Sequence, residues 1–98
     1  MLGTCTALGD IDMSTSSAFK ADLLAAIDTA DESFVTVDCS GVTFMGSAGY
    51  RVLVEATAYA AHRGHTLVIR NMSRSCARLL RLCEQDDNLT IEYSRDPR

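Results

Sequence analysis

The sequence is short of the residues that break, bridge or span. Among 98 residues there is one proline, Pro97, no tryptophan and a single lysine, Lys20. No linker, internal repeat or low-complexity stretch interrupts it, so one compact domain over residues 1–98 is expected, with 94–98 as a loose tail. No apolar run approaches the ~20 residues of a membrane span. The opening "MLGTCTALGDID" has no basic region ahead of an apolar one. A cytoplasmic chain with no membrane span follows as the expectation. Cys5, Cys39, Cys76 and Cys83 show no CxxC or other zinc spacing. In a reducing compartment they read as small buried hydrophobes, with no metal site.

Charge of one sign is scarce in the first half. Residues 1–50 carry seven acids against Lys20 alone, whereas residues 51–98 carry eight arginines against six acids. An acidic chain without interleaved basic and aromatic residues argues against a nucleic-acid partner and for a protein one.

Catalytic spacing is missing too. A nucleophile elbow, G-x-S-x-G, fails at Met45, and His62 and His65 lie at the far end of the helix that Ser47 begins. Neither phosphate-cradling glycine pattern occurs. Asp10 and Asp12 are not expected to share a proton. No enzyme and no cofactor are expected.

What is present is a regular alternation of strand and helix patterns. "TCTALGDI" reads as a strand. "STSSAFKADLLAAIDTA" follows as an amphipathic helix with Phe19, Leu23, Ala26, Ile27 and Ala30 on one stripe, capped by Ser14 or Thr15. "FVTVDC" alternates as a strand, and the loop 40–46 leads to Ser47, which opens a helix running to about His62 and stopped by Gly64. "HTLVIR" is a strand, "SRSCARLLRLCEQ" a helix and "LTIEY" a final strand. The fold class is α/β, a mainly parallel sheet of about four strands with three crossover helices. In such sheets sites form at the carboxyl ends of strands, which places the 40–46 loop and Ser47 at one.

Ser47 has two readings on its residues alone. As an N-cap its hydroxyl would satisfy an orphan backbone N–H, worth about 1 kcal/mol. As an exposed group at a helix start, it is where a phosphate would meet the positive end of the helix dipole. Gly49 costs that helix about 1 kcal/mol relative to alanine, which asks for a reason to keep the backbone bare.

"GDID", "VTVDCSGVTFMGSAGYRVLVEA", "RGHTLVIRN" and "ARLLRL" together resemble the STAS domain of anti-sigma factor antagonists, over nearly the whole chain. Asp38, Ser40, Gly41, Val42, Phe44, Met45, Gly49 and Leu53 keep the family pattern, and Ser47 falls on its phosphorylated serine. The resemblance implies that the unmodified domain binds an anti-sigma factor of the ATP-binding serine kinase type, freeing a sigma factor, and that phosphorylation of Ser47 releases it. Gly46, Ser47, Gly49, Tyr50 and Arg51 would form the contact surface, with Asp10 and Asp12 near its rim. Asp38 has a plain alternative as a strand-end or turn acid.

The chain departs from the pattern at Gly46, where the family has Asp, at Tyr50, where it has Leu, and at Glu84-Gln85, where Gly-Leu is usual. Its start is also short for the family, with eight residues before Gly9. The loss at Gly46 bears on phosphorylation rather than on binding. Two rivals stay open. One is a STAS docking subunit that is not phosphorylated, in a lipid-importing ABC transporter or a stress complex. The other is an antagonist switched by a disulfide, for which only Cys5 or Cys39, on adjacent strands, can join a pair.

Overall fold

The computed structural model describes residues 4–74, 77, 78 and 89–92. Strand β1 (Thr4–Ile11) leads into helix α1 (Ser16–Thr29), then strand β2 (Phe34–Met45), helix α2 (Ser47–His62), strand β3 (Thr66–Arg70) and strand β4 (Thr90–Glu92). The sheet order is β1-β2-β3-β4, and every neighbouring pair is parallel. The expected third helix over 73–85, with Cys76 and Cys83, and the tail 94–98 fall largely or wholly outside the described residues.

A strand order that advances one step at a time, with crossovers of one hand, places the connecting helices on the same face of the sheet. The burial pattern follows that rule. Ala7, Ile11, Val35, Val37, Cys39, Leu67 and Ile69 point into one core with Phe19, Leu23 and Ile27 of α1 and Val52, Leu53, Ala56 and Ala60 of α2. Thr4, Thr6 and Leu8 alternate to the other side and are exposed. Truncating a wholly buried residue such as Leu23 or Leu53 to alanine belongs to the class of change that costs about 2–5 kcal/mol.

The segment expected to be a loop, 40–46, is instead the second half of β2, which runs unbroken to Met45. Its alternation is hidden by two irregularities. Thr6 pairs with Asp38 but Leu8 with Gly41, and Gly9 pairs with Val42 but Asp10 with Phe44, so β2 carries an extra residue at each step. A bulged residue shifts the side-chain phase, and the buried positions pass from Cys39 to Val42 to Met45. Gly41 pairs with Leu8 just past the first bulge.

The far ends of the helices are fastened together. The Tyr59 hydroxyl donates to Asp28 Oδ1 at 2.7 Å and accepts from Arg63 Nη2 at 2.6 Å. Arg63 also pairs with Asp28 at 3.1 Å and stacks 4.3 Å from the Tyr59 ring centroid. Helix α2 ends as expected before Gly64, which adopts φ +82 while the His65 amide returns to the Ala60 carbonyl at 2.9 Å.

Cys5 and Cys39 are buried thiols on adjacent strands, not a disulfide. Cys5 is level with Val37, so Cys39 is one strand across and two residues along. By strand spacing and rise that is about 8 Å between Cα atoms, beyond disulfide reach. Burial, with the Asp22 charge second, pushes the Cys5 thiol up from its ordinary pKa, which makes it less reactive. A disulfide between these two is therefore excluded as the switch.

Candidate functional site

The carboxyl ends of β1 and β2 and the amino ends of both helices meet at one end of the molecule, as parallel crossovers require. The Gly46 amide donates to the Ile11 carbonyl at 2.9 Å and fixes the start of α2 against the end of β1. Gly46 is the N-cap, in extended conformation, and the cap makes no side-chain hydrogen bond. Ser47 is thus the first helical residue and not the cap, which corrects the expectation of a capping hydroxyl. It is exposed, and its hydroxyl has no hydrogen-bond partner among the described residues.

Gly49 has a steric role. A Cβ there would lie 2.7 Å from Ile11 Cγ2 and 2.9 Å from Met45 Cγ, and the residue is buried. The bare backbone lets the first turn of α2 settle on the strand ends. Expected on the contact surface, Gly49 lies beneath it instead. Tyr50 is half-buried and packs against the core, taking over the apolar role of the Leu usual there.

Asp10 and Asp12 are engaged separately. Asp10 Oδ1 accepts from the Thr43 hydroxyl at 2.6 Å, tying β1 to the end of β2. Asp12 lies past the end of β1 and folds into its own turn, accepting from the Ser14 amide at 2.9 Å and the Ser14 hydroxyl at 2.8 Å. Those bonds, the Ser14 hydroxyl foremost, hold its carboxyl below the usual range. The expected cap of α1 is arranged differently as well. Thr15 is the N-cap residue but caps nothing with its side chain. Its hydroxyl donates back to the Asp10 carbonyl at 2.8 Å and accepts from the Asp12 amide at 2.9 Å.

Asp38, expected as either a family-pattern residue or a strand-end or turn acid, lies within β2, paired with Thr6 and Arg70 on either side, and its carboxylate bonds its own strand and the residue after β3. It accepts from the Ser40 amide at 2.9 Å and from Asn71 Nδ2 at 3.1 Å. The Ser40 amide is the largest cause of its lowered pKa, with the Arg70 charge a smaller one.

Between α1 and α2 a groove of about 370 Å³ opens beside Ser47. Met13, Ser16, Ser17 and Lys20 line one wall, and Ser47, Ala48, Arg51, Val52 and Glu55 the other. Lys20 Nζ bridges it to Glu55 Oε1 at 3.1 Å. Two exposed apolar residues outside the expected contact set lie close by, Met13 in the groove wall and Phe44 beside Gly46 rather than in the groove. Met13 is 88% exposed and Phe44 is 51% exposed, with the Phe44 ring 3.4 Å from where a Gly46 Cβ would be. Phenylalanine and methionine are enriched where one protein docks on another. Neither is signalled in the sequence: both look like core by type, and the two bulges break the alternation that would have placed Phe44. Among the described residues no group of His, Cys, Asp and Glu could hold a metal. No described helix is long and apolar enough to cross a membrane.

The profile of the family described as "Mlab, STAS domain" matches residues 4–91. Among solved structures, the unphosphorylated anti-sigma factor antagonist SpoIIAA superposes with a TM-score of 0.70 at 12% identity, over 91% of this chain and 77% of that one. An anti-sigma factor antagonist from Mycobacterium paratuberculosis gives 0.73 at 21%, over 95% and 78%. The STAS domain of a SulP transporter from Vibrio cholerae gives 0.63 at 15%, over 93% and 71%. At these identities the structural likenesses speak for the fold.

Proposed function

The chain belongs to the STAS domain family, and from that premise we propose that it is an anti-sigma factor antagonist switched by phosphorylation of Ser47. The observation that carries the reading is Ser47 itself, an exposed and unbonded hydroxyl at the first position of α2, in the pattern where family members are phosphorylated. Gly46, Ser47 and Arg51, with Met13 and Phe44 beside them, would dock a cytoplasmic anti-sigma factor of the ATP-binding serine kinase type. Asp10 and Asp12 supply acid at the rim, and Tyr50 supports the surface from below.

In the switch, the γ-phosphoryl group of ATP passes to the Ser47 oxygen. An O–P bond replaces the hydroxyl O–H, the proton leaves and ADP is released. The product carries about −1.5 to −2 charges at a helix N-terminus, where the fold tolerates them. A docked partner would have to desolvate them, and each ~1.4 kcal/mol of that cost weakens binding tenfold. The test is incubation with a serine-kinase anti-sigma factor and ATP, followed by phosphosite mapping and a binding assay. Phosphate on Ser47 with loss of the complex supports the reading; a complex indifferent to ATP, with Ser47 unmodified, contradicts it.

A second reading is favoured by Gly46, which removes the acid that the family places beside the phosphoacceptor, and by the family description naming Mlab. In it the same surface docks in a larger assembly, such as a lipid-importing transporter, without any phosphate. A stable complex with an ATPase subunit would support it.

A further inference from the structure

Ser47, Arg51 and Glu55 follow one another at four-residue spacing, so they form a single stripe along α2, and all three line the groove. Helix spacing would give Arg51 its partner in Glu55. The structure spends Glu55 elsewhere, on Lys20 of α1 at 3.1 Å. Arg51 is exposed and has no hydrogen bond or ion pair among the described residues. An arginine with an uncommitted guanidinium therefore stands one turn from Ser47, the two Cβ atoms about 6 Å apart by helix geometry, while Lys20 of α1 holds its natural partner Glu55.

We propose that Arg51 is the intramolecular receptor for a phosphate on Ser47, so that modification adds a dianion to the docking surface and at the same time withdraws a cation from it. The inference rests on the phosphorylation reading and deepens it. A guanidinium takes two phosphate oxygens in its planar fork, whereas an ammonium offers a point charge. Lys20 is already bound to Glu55, two turns from Ser47. In the unmodified chain Arg51 is open to a carboxylate of the partner. Once Ser47 is phosphorylated, that carboxylate meets a neutralised arginine beside a phosphate. Lys20 acts from a distance, because its hold on Glu55 keeps Arg51 available.

The test uses the full chain with phosphoserine placed at position 47 during translation, so that no kinase is needed. The phosphate is titrated by ³¹P NMR. Its second pKa is expected about 0.5 unit below the ~6 of an unpartnered phosphoserine, a threefold change in proton affinity. Arg51→Gln should return it toward 6. Lys20→Gln, on α1, should raise it part of the way by releasing Glu55, two turns from the phosphate, to compete for Arg51. A pKa that Arg51→Gln leaves within 0.1 unit overturns the proposal. Anti-sigma binding, measured separately, keeps the two claims apart. Binding lost on phosphorylation with an unmoved pKa sinks the Arg51 assignment alone. A pKa that follows Arg51 in a chain whose binding ignores the phosphate sinks the switch instead.

Discussion

Gly49 and Ile11 meet so closely that a single added carbon would not fit: a Cβ on Gly49 would stand 2.7 Å from Ile11 Cγ2. The glycine that weakens α2 in isolation is what allows α2 to lie on the ends of β1 and β2 and to present Ser47. Gly49→Ala gains about 1 kcal/mol of helix propensity and loses more to overpacking against Ile11 and Met45. A net loss of about 1–2 kcal/mol in urea unfolding is expected. Ile11→Ala in the same chain removes the opposing methyl, so the double variant should be less destabilised than the sum of the singles.

Ser47→Ala should leave stability within about 0.5 kcal/mol of the parent, because the hydroxyl caps nothing. A loss above 1 kcal/mol would mean that the side chain supports the helix after all.

Gly46→Asp puts a preferred cap residue at the N-cap position, where the new Cβ meets the Phe44 ring at an ordinary 3.4 Å. Stability should rise by a few tenths of a kcal/mol. The variant also restores the acid that the family keeps beside the phosphoacceptor, so a serine-kinase partner should phosphorylate it faster than the parent. An unchanged or lower rate would show a surface adapted to another partner.

Tyr59→Phe removes the hydroxyl that links Asp28 to Arg63, and with it one tie between the ends of α1 and α2. Because the cluster is exposed, the expected loss is modest, about 0.5–1 kcal/mol by thermal unfolding. Binding at the opposite ends of the helices should not change.

Asp12 and Asp38 both have lowered carboxyl pKa values in the folded chain, through the Ser14 and Ser40 bonds respectively. The unfolded chain therefore binds more protons than the folded one between the lowered values and the ordinary carboxylate pKa near 3.9. Stability from these groups is fully present above that value and is lost as pH falls through the lower ones. Urea midpoints measured from pH 6 down to pH 2.5 should drop in that acid range. Asp12→Asn and Asp38→Asn should each flatten the drop.

Much of this architecture is legible in the residues because period and burial agree. The Phe19–Leu23–Ile27 stripe, the alternation of "FVTVDC" and the stop at Gly64 each state their element directly. The second half of β2 is hidden, because Ser40 and Gly41 are turn residues by type and the two bulges break the two-residue period that marks a strand. The cap of α2 was displaced by one residue for a similar reason. Gly and Ser are both acceptable at an N-cap, and composition does not say which of two neighbours holds it. Gly49 announces an anomaly in the sequence, but its cause is a contact with Ile11, 38 positions away. Met13 and Phe44 look like core by type, and only tertiary placement turns them outward.

The central claim is that Ser47 controls docking, and the most direct measurement is a calorimetric titration of a serine-kinase anti-sigma factor with the chain and with the same chain carrying phosphoserine at 47. A complex with the unmodified chain and at least tenfold weaker binding with the phosphorylated one are expected, both chains being equally folded. Equal affinities for the two forms would contradict the claim.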